Sequence, residues 1–251
     1  MKKEMQFNKI KVIVCDTYEE LSAEAAEIVA AEMKKKPEFV LGLATGSSPV
    51  GLYTKLAEKN QAGEIDFANV RTFNLDEYYP IDPANDQSYR YFMNKNLFNK
   101  TNIKLENTRV PDGTAADTDK FCESYEADIK AAGGVDLQVL GIGNNGHIGF
   151  NEPCDKFYNI THVVELTENT IEANSRFFES ADLVPKKAIT MGVGTIMNAK
   201  KIVLVANGKN KAQALYEALC CDVTPNNQCS VLQYHNDVTM ILDKDAASLL
   251  K

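Results

Sequence analysis

Three short stretches hold residue types that can do chemistry where a chain meets a ligand. In GIGNNGHIGFNEP (141–153), His147 stands among glycines, with Asn145 before it and Glu152 after it. An imidazole moves protons near neutral pH, and a carboxylate bonded to one ring nitrogen sets its tautomer. Asn145 occupies a place where an acid could support the ring; it is neutral, yet its side-chain oxygen can accept a hydrogen bond and fix orientation. A structural histidine is the plainer alternative. In FNLDEYYP (73–80), Asp76 and Glu77 directly follow an apolar run. A carboxylate there can act as a general base if its pKa is tuned, or can be a solvated acidic turn. In LGLATGSSP (41–49), Thr45, Gly46 and Ser47 lie between a strand-like run and a helix-like one. Free N–H groups and hydroxyls in such a turn can cradle a phosphate. No Gly-Lys-Ser/Thr follows, so this is not a Walker A loop. Arg176 in EANSRFF and Lys211 in GKNKAQAL add cations after or near strand ends. Arginine suits bidentate phosphate binding and lysine acts as a point charge, while either alone could be surface charge.

GIGNNG also satisfies the dinucleotide pattern G-x-G-x-x-G, and Glu165 lies near the ribose-binding distance. That fingerprint must open a helix. HIGFNEP is interrupted by Gly149 and stopped by Pro153, so no crossover helix fits before THVVEL (161–166), and the dinucleotide reading is set aside.

The elements that must position these residues are legible as patterns. Strands are expected at 11–15, 39–44, 70–75, 135–143, 161–166, 200–207 and 237–243. Helices are expected at 22–36, from Val50 onward with Ser48 before Pro49 as the start signal, near 87–98, at 116–134, at 167–178 and after Lys209. Thr167 with Thr170 is an imperfect capping box. Strands alternating with helices predict one α/β domain over 1–251, a three-layer sandwich with a mainly parallel sheet and helices on both faces. Ligands in such folds bind beyond the carboxyl ends of the strands. The informative loops are then those after Leu43, Leu75, Gly141 and Val205, with a mobile subregion expected around 155–185.

The 251 residues carry a net charge of -8, and 44% are hydrophobic. The basic footprint of a nucleic-acid binder is missing, and no apolar run approaches the ~20 residues of a membrane span. The start, MKKEMQFNKI, lacks the apolar segment of a secretory signal. Cys15, Cys122, Cys154, Cys220, Cys221 and Cys229 form no CxxC pair, which predicts neither disulfides nor a zinc site and points to a reducing cytoplasm. Cys15 and Cys122 are expected to be buried thiols.

Taken together, LGLATGSSP, FNLDEYYP, GIGNNGHIGFNEP and EANSRFF…VPKKAITMGVGTI resemble, in order and from about residue 11 to 248, the glucosamine-6-phosphate deaminases of the glucosamine/galactosamine-6-phosphate isomerase family. The resemblance implies a modified Rossmann-like α/β fold. It implies conversion of glucosamine 6-phosphate and water to fructose 6-phosphate and ammonia, with no metal or organic cofactor. By similarity, His147 takes the anomeric hydroxyl proton during ring opening, held and tuned by Glu152 and Asn145. Asp76 moves the C2 proton. Thr45, Gly46, Ser47, Arg176 and Lys211 bind phosphate, and the backbone at Gly141 and Gly149 approaches the sugar. Residues 160–181 form a lid.

Some relatives have aspartate at the place of Asn145, and the resemblance implies that asparagine is compatible with activity. Hexameric, activated members bind N-acetylglucosamine 6-phosphate through an arginine and a lysine, which match His162 and Val164 here. Asp155 and Lys156 replace nearby serines, and the chain ends at Lys251 without those members' longer tail. The resemblance therefore implies no such activation, and a monomer or small homo-oligomer. The alternatives are a 6-phosphogluconolactonase, which needs no proton movement at C2, and a sugar-phosphate sensor domain. The sensor needs no base but does need a DNA-binding module, and no basic helix-turn-helix segment precedes residue 11.

Overall fold

The computed structural model describes residues 2–175, 178, 180 and 183–251, without the side chains of Asn169 and Ala173. In chain order the strands are Lys3–Phe7 (β1), Ile10–Cys15 (β2), Val40–Leu43 (β3), Arg71–Asn74 (β4), Asp76–Tyr79 (β5), Thr108–Arg109 (β6), Leu137–Leu140 (β7), His162–Glu165 (β8), Lys187–Thr190 (β9), Lys201–Ala206 (β10) and Val238–Asp243 (β11). The helices are Tyr18–Met33 (α1), Val50–Gln61 (α2), Tyr89–Asn96 (α3), Thr118–Ala131 (α4), Glu168–Ser175 (α5), Val193–Met197 (α6) and Ala212–Cys220 (α7).

The continuous apolar runs form the centre of an eight-stranded sheet ordered β1-β2-β11-β10-β7-β3-β4-β6. Every residue of β3 and β7 is buried, as a parallel strand covered on both faces requires. All pairings are parallel except β1 with β2. Helices flank this sheet, so the expected α/β architecture holds.

The polar segment KEMQF was not expected to be a strand; as β1 it pairs only along β2 and keeps its polar side chains in water. A second sheet, three-stranded and antiparallel (β5-β9-β8), was also not foreseen. THVVEL is a strand as expected, but in this small sheet. The sheet joins the main one where Leu75 N–H donates to Leu43 O at 3.0 Å and Met191 N–H to Leu75 O at 2.7 Å. Its own core holds Tyr78, Ile81, Phe150, Leu166 and Ala188, with Ile171 of α5 and Phe178 packed against it. That contact seats α5 over the carboxyl ends of the parallel strands.

Helix starts follow the side chains available to cap them. Thr17, Ser88 and Asp117 accept N–H bonds from the first turns of α1, α3 and α4. Among the described residues α2 has no side-chain cap. The helix does begin directly after the Ser48–Pro49 signal, and the Ser48 hydroxyl donates to Asn207 Oδ1 at 2.7 Å. Pro49 takes the cap position, because proline's missing N–H and fixed φ suit a helix start.

Candidate active site

A cleft of about 800 Å3 opens at the carboxyl ends of the parallel strands. It is lined by Thr45, Gly46, Ser47, Asp76, Gly141, Asn145, His147, Gly149 and Lys211, drawn from three separate loops and the start of β5. Glu152 lies behind His147 and is only 7% exposed. Of the residues singled out in the sequence, Arg176 alone lies outside the described residues.

The turn between β3 and α2 is braced from outside. The Tyr18 phenol accepts the Gly51 N–H at 2.8 Å and donates to a carbonyl of Ser47 or Ser48, each at 3.0 Å. Tyr53 is fully buried and bonds both the N–H and the carbonyl of Ala44. The turn after β10 that carries Lys211 is held by Asp243, whose two carboxylate oxygens accept the Gly208 N–H at 3.0 Å. Asn210 Nδ2 then donates to Asn144 Oδ1 at 2.9 Å, tying that turn to the glycine-rich loop. A phosphate facing these loops would meet an uncapped helix start on one side and an ammonium on the other.

Residues 141–160 run as turns, loop and one isolated bridge between Ile148 and Asn151. GIGNNG therefore does not open a helix, and the physical ground for setting aside a dinucleotide site holds. The loop folds back tightly. Gly143 N–H donates to His147 O at 2.9 Å, and a Cβ on Gly143 would sit 2.4 Å from His147 Cε1. Only glycine lets the imidazole lie flat against that backbone.

His147 Nδ1 lies 3.3 Å from Glu152 Oε2. It is close enough for an ion pair, but it makes no aligned hydrogen bond among the described residues. Such bonds often tighten only when substrate arrives. Among the described residues Asn145, expected to hold the ring, makes its hydrogen bonds elsewhere. Its Nδ2 donates to Glu152 Oε2 at 2.8 Å, and its Oδ1 accepts the His147 backbone N–H at 3.3 Å. Thr170 of α5 donates to Glu152 Oε1. Burial pushes the Glu152 carboxyl up, but His147, Thr170 and Asn145 more than offset it and hold the group below its ordinary range.

Asp76 and Glu77 are neighbours in β5 and so face opposite ways. Glu77 turns from the cleft and accepts the N–H groups of Tyr78, Tyr89 and Arg90 at 2.9, 2.8 and 2.9 Å, anchoring the start of α3. Burial pushes it up to about 7 despite those donors. Asp76 turns into the cleft, 6% exposed. Desolvation first, then the nearby Glu77 charge, pushes it up to about 8. Gly149, at φ +59°, brings its backbone beside it: a Cβ there would lie 3.4 Å from Asp76 Oδ2 and 2.9 Å from Thr190 Oγ1.

Sequence reasoning missed several cleft residues. Tyr89 also lines the cleft; its phenol is raised well above its usual range by burial and lies beside Thr45 and Tyr78. Its ring stacks on Phe150 at 5.9 Å. Thr170 and Asn174 line the cleft from α5. The one available signal was their spacing, which puts both on one helix face. Among the described residues no group of His, Cys, Asp or Glu is placed to hold a metal ion, and all six cysteines are free, Cys15 and Cys122 buried as expected.

An open, mainly parallel α/β sheet with a histidine, two carboxylates and glycine-rich loops at its carboxyl edge defines the class: a Rossmann-like α/β enzyme. Comparison with known proteins makes this specific. A family model described as glucosamine-6-phosphate isomerases/6-phosphogluconolactonase matches residues 16–240, and the chain belongs to that family. It is 58% identical to a glucosamine-6-phosphate deaminase of Thermoanaerobacter sp. (strain X514), over 96% of this chain and 95% of the relative. It is 56% identical to one of Clostridioides difficile (strain 630), over 96% and 97%. A solved structure of a monomeric glucosamine-6-phosphate deaminase superposes with a TM-score of 0.93 at 45% identity, covering 95% of this chain and 99% of that one. A 6-phosphogluconolactonase from Trypanosoma cruzi superposes with a TM-score of 0.78 at 23% identity, over 99% of each chain, and shares the fold.

Proposed function

We propose that the chain converts glucosamine 6-phosphate and water to fructose 6-phosphate and ammonia. The observation that carries this reading is that one cleft presents two separate groups able to transfer protons. Asp76 is raised by burial, and His147 is backed by an ionised Glu152. Lactone hydrolysis needs a base for water and no second group for a carbon-bound proton, and a sensor needs neither.

His147 accepts the proton of the anomeric hydroxyl and passes it to O5 as the ring C1–O5 bond breaks. Glu152 stabilises the imidazolium so formed. Asp76 then removes the proton from C2, which the new C1 carbonyl acidifies, as the C1 oxygen gains a proton given up by the C2 ammonium, and delivers the C2 proton to C1. The product is a C2 iminium; water adds at C2, and the C2–N bond breaks to release ammonia as the C2 carbonyl forms. The substrate's ammonium at C2, entering beside Asp76, favours the ionised carboxylate that this step needs. Thr45, Gly46, Ser47, Lys211 and Arg176 hold the phosphate, and that remote binding orients the reacting end. The backbone at Gly141 and Gly149 lies against the sugar. No step calls for a metal or organic cofactor.

Net charge of -8 argues against a nucleic-acid partner, and among the described residues no helix is long and apolar enough to cross a membrane. Free cysteines suit a reducing cytoplasm. The likeness to a monomeric deaminase supports a monomer or small homo-oligomer.

The test is ammonia release from glucosamine 6-phosphate by purified protein, set beside hydrolysis of 6-phosphogluconolactone. Turnover of the amino sugar is expected. Turnover of the lactone alone, or binding without turnover of either, would overturn the reading.

A further inference from the structure

Thr170 lies in the first turn of α5, a helix seated on the small antiparallel sheet through Ile171. It is 3% exposed and lines the cleft. The Thr167 hydroxyl donates to Thr170 Oγ1 at 3.2 Å, and the Thr170 hydroxyl donates to Glu152 Oε1. The other oxygen of the same carboxylate takes the Asn145 amide at 2.8 Å and faces His147 Nδ1 at 3.3 Å. A continuous chain of polar groups thus runs from the start of α5 to the imidazole. Each end belongs to a different element: α5 stands on the small sheet, while Asn145 and His147 stand on the loop after β7.

We propose that Thr170 is a positioning residue for proton transfer, whose hydroxyl makes the Glu152–His147 pair depend on α5 being seated over the cleft. This rests on the deaminase reading above. Two hydrogen-bond donors hold the carboxylate, Asn145 from the loop after β7 and Thr170 from α5, while His147 Nδ1 stands 3.3 Å away. Of the two, the α5 donor is the one that leaves if the helix lifts. With α5 seated, Glu152 is held ionised and turned toward His147. With α5 displaced, Glu152 Oε1 loses its donor in a site too buried for water to replace it freely. The pair is then complete only when the helix that also lines the cleft through Asn174 is in place. Thr167 supports the arrangement by fixing the Thr170 rotamer, because its hydroxyl also accepts the Thr170 N–H at 3.3 Å.

The sign of the pH effect follows from the donor. The Thr170 hydroxyl favours the ionised form of Glu152. Removing it makes Glu152 ionise at higher pH, so the lower step of the acid limb of kcat/KM, below the step set by Asp76, moves upward.

The experiment compares wild type, Thr170→Val, Thr170→Ala and Thr170→Ser, with folding checked by circular dichroism and kcat and KM followed across pH. Thr170→Val is expected to lower kcat roughly 10-fold, within the range for loss of support to an acid–base group. KM should change much less, and that lower step of the acid limb should move to higher pH while the Asp76 step stays in place. Thr170→Ser, which keeps the hydroxyl, should restore most of kcat and return the lower step. Thr170→Ala serves if the valine variant does not fold, and the same shift is expected of it. An unmoved lower step and kcat in either folded variant overturns the inference, as does a serine variant no better than alanine. Absence of ammonia release in wild type would instead overturn the functional reading.

Discussion

Asn145 Nδ2 donates to Glu152 Oε2 at 2.8 Å, while Asn145 Oδ1 accepts the backbone N–H of His147. The asparagine therefore supports the carboxylate and the loop rather than the ring. Removing Asn145 leaves Glu152 its charge and its Thr170 donor; neutralising Glu152 removes the only anion beside the imidazole among the described residues. Glu152→Gln should lower kcat by about 100-fold or more, and Asn145→Ala by roughly 10-fold. Steady-state ammonia release at saturating substrate measures both, and the reverse order would mean that these roles are exchanged.

Asp76 gives a pH-dependent stability with a definite sign. In the unfolded chain it ionises near its ordinary value; in the fold it is pushed up to about 8. Between those values the folded state binds the extra proton, so stability falls as pH rises through the window and the full penalty applies above about 8. Each pKa unit corresponds to ~1.4 kcal/mol. Asp76→Asn should abolish turnover while gaining stability over wild type, and the gain should grow from pH 5 to pH 9 by urea unfolding. A gain that shrinks with pH would show that Asp76 is not raised.

Glu77 is the structural half of the same dipeptide. Its carboxylate accepts N–H bonds at the start of α3, and its charge helps to raise Asp76. Glu77→Gln presents an amide NH2 where an acceptor is needed, which should cost ~1–3 kcal/mol of stability. The upper step of the acid limb of kcat/KM, set by Asp76, should move to lower pH, because Asp76 then ionises more readily. Thermal unfolding and a pH–rate profile read the two effects separately, and a limb that moves upward contradicts this assignment.

The contrast between Asp76 and Glu77 shows what the chain makes legible. Buried parallel strands such as β3 and β7 are continuous apolar runs, so their positions and the carboxyl edge of the sheet can be read directly. DEYY forms β5 only because KAIT, more than a hundred residues later, pairs with it: Asp76 opposes Thr190 in that register. No local pattern marks such a polar strand, and so the opposite facing of the two carboxylates could not be foreseen. His147 and Glu152 were legible because their motif is contiguous. Thr170 was not, because only the seating of α5 on the small sheet brings it to Glu152. Ser48 before Pro49 does mark the start of α2, while its hydroxyl bonds Asn207, from the far side of the cleft, at 2.7 Å rather than the helix.

Gly149 is a sharp test of how closely the backbone must approach the base. An alanine there would take up φ +59°, a left-handed conformation that side chains disfavour by roughly 1 kcal/mol. Its methyl would press on Thr190 Oγ1 at 2.9 Å and stand 3.4 Å from Asp76 Oδ2. Gly149→Ala should retain the fold and lower kcat by roughly 10- to 100-fold, the scale of a small misplacement of reacting groups. A variant with unchanged kcat would place the substrate elsewhere in the cleft.

Regulation by N-acetylglucosamine 6-phosphate can be argued from the β8 edge. The positions implied to hold that effector's phosphate carry His162 and Val164. His162 stacks on Tyr158 with ring centroids 4.1 Å apart, and Lys156 Nζ sits 4.5 Å over the Tyr158 ring. Burial first, then the charge of Lys156, lowers His162 below its usual range, against the upward pull of its bond to the Ile160 carbonyl. It is therefore a neutral ring at pH 7 and above, and Val164 adds no donor, so neither side chain offers a phosphate a charge. Substrate saturation should be hyperbolic, and adding N-acetylglucosamine 6-phosphate should leave both kcat and the half-saturating concentration unchanged at pH 7.5. A sigmoidal curve that the effector makes hyperbolic would show that phosphate finds other partners at this edge, and Lys156→Ala would then identify whether that ammonium is one of them.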